Sequence, residues 1–200
     1  MTLQNRVDPA GNLHVDPARG KLMGNRGCLH DANRNIVRHA RTKRWIACTL
    51  EPVFGKRPQL MQPGSYTELF FLDEATALAA GHRPCAQCRR SAYRAFVAAW
   101  RCAGLPSPRV GSVADAIDAV LDVERRARVG PAVSVSELPS GAMVKAADGA
   151  YFLAHEGALL PWSFAGYGLP TDAGAIAGAL ELVTPPSIVR ALGAGYRVTT

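Results

Sequence analysis

Tyr93, Phe96, Val97 and Trp100 fall at i, i+3, i+4 and i+7, one apolar stripe with Arg90, Arg94 and Arg101 placed off it. That spacing predicts an amphipathic helix from Arg89 to Ala103, closed by Gly104-Leu105-Pro106-Ser107-Pro108. A shorter helix precedes it: Asp73 can cap Glu74 to Ala80, and Gly81 supplies a left-handed stop. β-branched and aromatic runs predict strands at Asn35–Ala40, Arg44–Leu50 and Tyr66–Phe71. Before them, clusters of Gly, Asn, Asp and Pro, such as Asp8-Pro9-Ala10-Gly11-Asn12, predict short extended pieces joined by tight turns.

Beyond the Pro-rich break a third helix is expected from Val113 to Arg128, with Ser112 as its cap and a short stripe of Ile117, Val120 and Leu121. Strands follow at Ala142–Lys145, Ala150–Ala154, Ala158–Leu160 and Leu180–Val183, with Asp148-Gly149 and His155-Glu156-Gly157 as hairpin turns. Thr184-Pro185-Pro186 opens a last helix through Leu192, with proline in its tolerated first turn. The expected architecture is α+β, divided into residues 1–105 and 110–200.

Charge sharpens that division. Residues 1–110 hold 17 Lys and Arg against 7 Asp and Glu, a net of +10, whereas residues 111–200 hold 6 against 9, a net of −3. A basic half of this kind faces an anion such as nucleic acid, or is a solvated Arg-rich surface. No window has about 18 uncharged apolar residues, so no membrane span is expected. The N-terminus lacks an apolar signal core, which places the expected location in the cytoplasm. Five cysteines at unequal spacing do not make a disulfide framework in that compartment and fit metal binding by some of them.

The chemistry concentrates in Gly81-His82-Arg83-Pro84-Cys85-Ala86-Gln87-Cys88. Two cysteines separated by two residues aim both sulfurs at one point, and zinc takes four such ligands tetrahedrally. The alternatives are two buried thiols or a redox pair, which expects a thioredoxin-like βαβ context that the residues before Cys85 do not supply.

The run from Phe70 to Cys88 places a strand, an Ala-rich helix, Gly-x-Arg-Pro and Cys-x-x-Cys in succession. In this it resembles the N-terminal zinc domain of Ada-type DNA alkylation-response proteins. Upstream, Val37 to Cys48 resembles the strand ending in that family's first zinc cysteine, so the resemblance spans roughly residues 36–90. It implies a small zinc-stabilised module with Cys48, Cys85 and Cys88 on the metal, and it does not extend to the α+β unit of residues 110–200. It also implies DNA as a partner and Cys48 as the acceptor of a methyl group from a phosphotriester. The family's second cysteine lies four residues after the first, and here that position is Pro52. Cys28 or His30, on one side of an extended segment, is then the source of the fourth ligand. His30 is preferred, because Cys28 also suits an apolar position. Neutral imidazole in place of thiolate lowers the site's negative charge and with it the nucleophilicity of bound sulfur.

Arg38, Arg41, Lys43, Arg44, Arg83, Arg89 and Arg90 surround this site in sequence, a set that can bind phosphates, with Arg41, Lys43, Arg44, Arg89 and Arg90 as the candidate contacts. Trp45 is read as core rather than a stacking platform for bases. The aromatic run Trp162 to Gly168 is core, a pocket wall or an interface for a protein partner. Three functions are therefore in view: a zinc-stabilised DNA-binding protein, a suicidal methyl acceptor at Cys48, and a zinc scaffold for protein or small-ligand binding. Whether the chain is an enzyme stays open at this point.

Overall fold

The computed structural model describes residues 2–51, 59–127, 130–172, 174 and 176–198. The first half of the chain builds one six-stranded sheet from β1 (Gln4–Val7), β2 (Leu13–Val15), β3 (Leu22–Asn25), β4 (Ile46–Cys48), β5 (Leu69–Phe71) and β6 (Arg83–Pro84), in the order β2-β1-β5-β3-β4-β6. The second half builds another from β7 (Ala132–Val133), β8 (Met143–Lys145), β9 (Tyr151–His155), β10 (Ala158–Ser163), β11 (Gly166–Tyr167) and β12 (Leu180–Leu182), in the order β11-β10-β9-β8-β12-β7. Among the described residues four α-helices accompany them: α1 (Glu74–Ala79), α2 (Arg90–Cys102), α3 (Val113–Ala127) and α4 (Pro186–Gly193). The fold is mixed α+β. None of the helices is long and apolar enough to cross a membrane, among the described residues.

Local chemistry explains most boundaries. The Asp73 carboxylate accepts from the Thr76 amide at 2.9 Å and caps α1, and Gly81 ends it with φ +79°. Ser112 accepts from the Asp115 amide at the start of α3; Arg128, its expected last residue, lies outside the described residues. Glu156 and Gly157 form the two-residue turn between β9 and β10, both at positive φ, the geometry that suits the twist of a hairpin.

One expected strand is replaced. In Asn35–Ala40 the structure has an isolated bridge, His30 to Ile36, rather than a strand. The Asp31 carboxylate accepts from the amides of Asn33 and Asn35, and Arg34 sits at φ +66°. This side-chain turn competes for the backbone groups a strand would use. Val37 and Arg38 then both donate to the Leu29 carbonyl.

The two halves share their core. Leu78, Phe96 and Trp100 from the first half pack with Ile117, Leu121, Ile188, Leu192 and Tyr196 from the second. Each such large side chain contributes about 1.5–3 kcal/mol on burial, so the Gly104–Pro108 segment joins two units that stabilise each other. The aromatic run has the same role. Trp162 Nε1 donates to Thr76 Oγ1 at 3.0 Å and the Tyr167 hydroxyl donates to Asp73 at 2.8 Å, which docks residues 162–168 on the capped end of α1.

Candidate metal centre

Strand register creates the site. β4 and β6 run parallel with Ile46 opposite Arg83 and Ala47 opposite Pro84. The Cys85 amide donates to the Ala47 carbonyl at 2.9 Å, which extends the ladder by one step and sets Cys85 beside Cys48. Cys88 follows in a turn that closes before α2 begins at Arg90, so it stands just ahead of the helix rather than in its first turn. The sulfurs of Cys48, Cys85 and Cys88 lie within 4.8 Å of one another, a group that could hold a metal ion.

The donor set fits such an ion. The amides of Gln87 and Cys88 donate to the Cys85 sulfur, an arrangement that favours thiolate over thiol. The hydrogen bond from Cys48 and these amides draw Cys85 down to about 4 against the opposing effect of burial. Cys48 is pushed up, first by its hydrogen bond to Cys85 and then by burial and the charge of Cys85 and Cys88. The three sulfurs compete for one small space that protons fill poorly and a divalent cation fills well. Cys85 is buried, whereas Cys48 and Cys88 are half-buried, with Ala86 and Gln87 exposed beside them.

No family model, curated protein or solved structure matches the chain.

The two candidates for a fourth ligand do not join the cluster. β3 pairs with β4 in the antiparallel sense, Met23 opposite Cys48 and Asn25 opposite Ile46, so the chain has run away from Cys48 before it reaches Cys28. There the Cys28 thiol donates to the His30 carbonyl at 3.5 Å. Both nitrogens of His30 are engaged, Nδ1 with Thr67 Oγ1 at 2.6 Å and Nε2 with the Gln62 carbonyl at 3.1 Å. This buried ring is a structural bridge between two loops, satisfied without a metal. Pro52, the position of the missing family cysteine, lies outside the described residues.

The basic residues divide in two. Arg41, Lys43, Arg44 and Arg90 are exposed. Lys43 faces Asp122 at 3.8 Å and Arg44 faces Asp115 at 3.5 Å, surface pairs of the kind worth 0–1 kcal/mol that leave both cations able to meet another anion. Arg89 differs. Its guanidinium pairs at 2.8 Å with Glu74, both side chains nearly out of water, and Tyr196 donates to the same carboxylate. Arg89 therefore holds α2 to α1 and the C-terminal segment, and is withdrawn from any phosphate.

Sequence reasoning missed the partners that hold the site from behind. Arg83, one of the cations counted as able to bind phosphate, instead makes a buried bidentate pair with Asp118 of α3, at 2.8 and 2.7 Å. Trp45, three residues before Cys48, is buried with the guanidiniums of Arg26 and Arg125 over its ring at 3.8 and 4.3 Å. Trp45 is thus core, as its reading in the sequence had it. Arg26 is wholly buried and drawn down to about 9 by burial and then by Arg125. Gly27 carries φ +93° where a Cβ would sit 2.9 Å from Arg41 Cβ, so only glycine lets the basic loop close on β3. A buried arginine has no distinct signature in a sequence where exposed arginines are common.

Proposed function

We propose that residues 36–90 form a zinc centre of the Ada type and that the chain uses the basic surface beside it to bind DNA. The observation that carries this reading is the convergence of three cysteine sulfurs within 4.8 Å. Zinc suits the donors, since it accepts thiolates in tetrahedral geometry and has no redox chemistry to oxidise them. The resemblance of Phe70–Cys88 to the Ada-type module supports the choice of metal. The parallel register of β4 and β6 explains how cysteines 37 positions apart in the chain come to share one ion.

DNA is the partner best matched to the exposed cations. Arg41, Lys43 and Arg44 follow one another just ahead of β4, and Arg90 opens α2 two residues after Cys88. Each phosphate such a residue neutralises releases counterions, so affinity falls with the logarithm of salt. The test pairs elemental analysis of chelator-free protein with binding to duplex DNA across a salt series. One zinc per chain is expected, and replacing Arg41, Lys43 and Arg44 together by Ala flattens the salt slope by up to about three units. Protein without zinc, or a wild-type affinity insensitive to salt, overturns the corresponding half of the reading.

A further inference from the structure

We propose that the fourth coordination position of the metal is taken by the sulfur of a small external thiol rather than by a residue of this chain. The inference rests on the metal centre proposed above and extends it to the class of ligand that the centre receives.

Three donors are accounted for and zinc takes four. Among the described residues no other Cys, His, Asp or Glu joins the three sulfurs, including Glu51, exposed three positions after Cys48. Cys28 has been carried away along β3 and is bonded to the His30 carbonyl. Cys102 ends α2, about 18 Å from the start of that helix at 1.5 Å per residue. His30 uses both nitrogens, and His82 is fully buried with Nε2 accepting from Arg26. Glu74, the acid nearest Cys85 along α1, is held by Arg89 and Tyr196. The residues outside the description are Met1, 52–58 (Pro-Val-Phe-Gly-Lys-Arg-Pro), Arg128, Val129, Ala173, Ala175, Thr199 and Thr200. None of them is a Cys, His, Asp or Glu, so none adds an ordinary zinc-ligating side chain.

The same arrangement selects the incoming ligand. Half-buried Cys48 and Cys88, with exposed Ala86 and Gln87 between the elements, leave one side of the centre facing solvent. Three thiolates donate charge to the ion and weaken its hold on hard oxygen donors, so soft sulfur displaces water. On binding, the thiol S–H gives its proton to solvent, the metal–sulfur bond forms, and the displaced water leaves intact. The centre passes from a net charge of −1 to −2. The N-terminus of the 13-residue helix α2, which opens at exposed Arg90 two residues after Cys88, offsets the added negative charge.

Cobalt(II) replacing zinc in the full chain reads this directly. The protein is kept reduced with a phosphine, loaded with cobalt, and titrated with 2-mercaptoethanol, with ethylene glycol as the matched oxygen control. We expect saturable growth of the sulfur-to-cobalt charge-transfer band by roughly a third, as three of four donors become four, with a shift of the visible bands and no response to the glycol. X-ray absorption of the zinc form is expected to change from three to four sulfur neighbours on adding the thiol. Four sulfurs before any thiol is added, from Cys28 or from a second copy of the chain, would overturn the proposal. So would a spectrum unmoved by saturating thiol, or cobalt lost to solution. Failure to take up cobalt at all shows before the titration begins and removes the metal centre itself.

Discussion

Arg83 and Asp118 are joined by two hydrogen bonds, 2.8 and 2.7 Å long, with both side chains almost wholly out of water. The pair ties α3, from the acidic half, to the strand that delivers Cys85. Breaking a buried pair leaves one charge unpaired, at about 3–5 kcal/mol. Asp118→Ala is therefore expected to lower unfolding free energy by that amount, while Asp115→Ala, at the exposed Arg44 pair, changes it by less than about 1 kcal/mol. Urea denaturation of both variants checks the contrast, and equal losses would contradict the buried pair's role.

Metal retention separates ligands from neighbours. Cys48→Ser, Cys85→Ser and Cys88→Ser are each expected to lose most of the bound zinc. Cys28→Ala and His30→Ala should keep one zinc per chain, since neither side chain belongs to the sulfur cluster. His30→Ala should nonetheless lower stability by about 1–3 kcal/mol, because Thr67 and the Gln62 carbonyl lose their partner. Zinc loss in His30→Ala at a pH where the variant stays folded would restore His30 as a ligand.

His82 gives the protein a sensitivity to acid. Burial, followed by the charges of Arg26 and Arg125, holds its ring well below the usual 6.5, so it is neutral in the folded protein. In the unfolded chain it titrates near 6.5. Below that pH the unfolded state binds a proton the folded state refuses, and stability falls as pH drops. Between about pH 7.5 and about pH 5.5 this amounts to about 1.4 kcal/mol. His82→Gln keeps an acceptor for Arg26 and should reduce the loss by that amount in denaturant titrations at the two pH values. An undiminished pH dependence would place the effect in other groups.

In the absence of added thiol, Cys48 is expected to accept methyl groups slowly. With water still in the position the external thiol takes, three thiolates on a divalent ion carry a net charge of −1, which leaves each sulfur less electron-rich than in a tetrathiolate. Incubation with DNA bearing methyl phosphotriesters, followed by peptide mass analysis, reads the adduct. Rapid stoichiometric methylation of Cys48 would show that the charge argument fails here and that the chain is a suicidal acceptor.

Local signals settled much of this protein. The apolar stripe of α2, the Asp73 cap and Gly81 stop of α1, the two-residue turn at Glu156-Gly157 and the closely spaced Cys85 and Cys88 all rest on residues within a few positions of one another. Short-range geometry decides such features, so the sequence alone suffices for them. Cys48 entered the site through resemblance, and the register of β4 against β6 is what brings it to Cys85. His30 shows the opposite case: its spacing from Cys28 suited a ligand, but Thr67 and Gln62, more than 30 positions away, occupy both nitrogens. Arg89 looked like a phosphate contact until the fold closed it against Glu74. Long-range partners decide whether a charged or coordinating side chain is free, because a buried polar group binds whichever partner desolvation leaves it. That choice belongs to the tertiary structure.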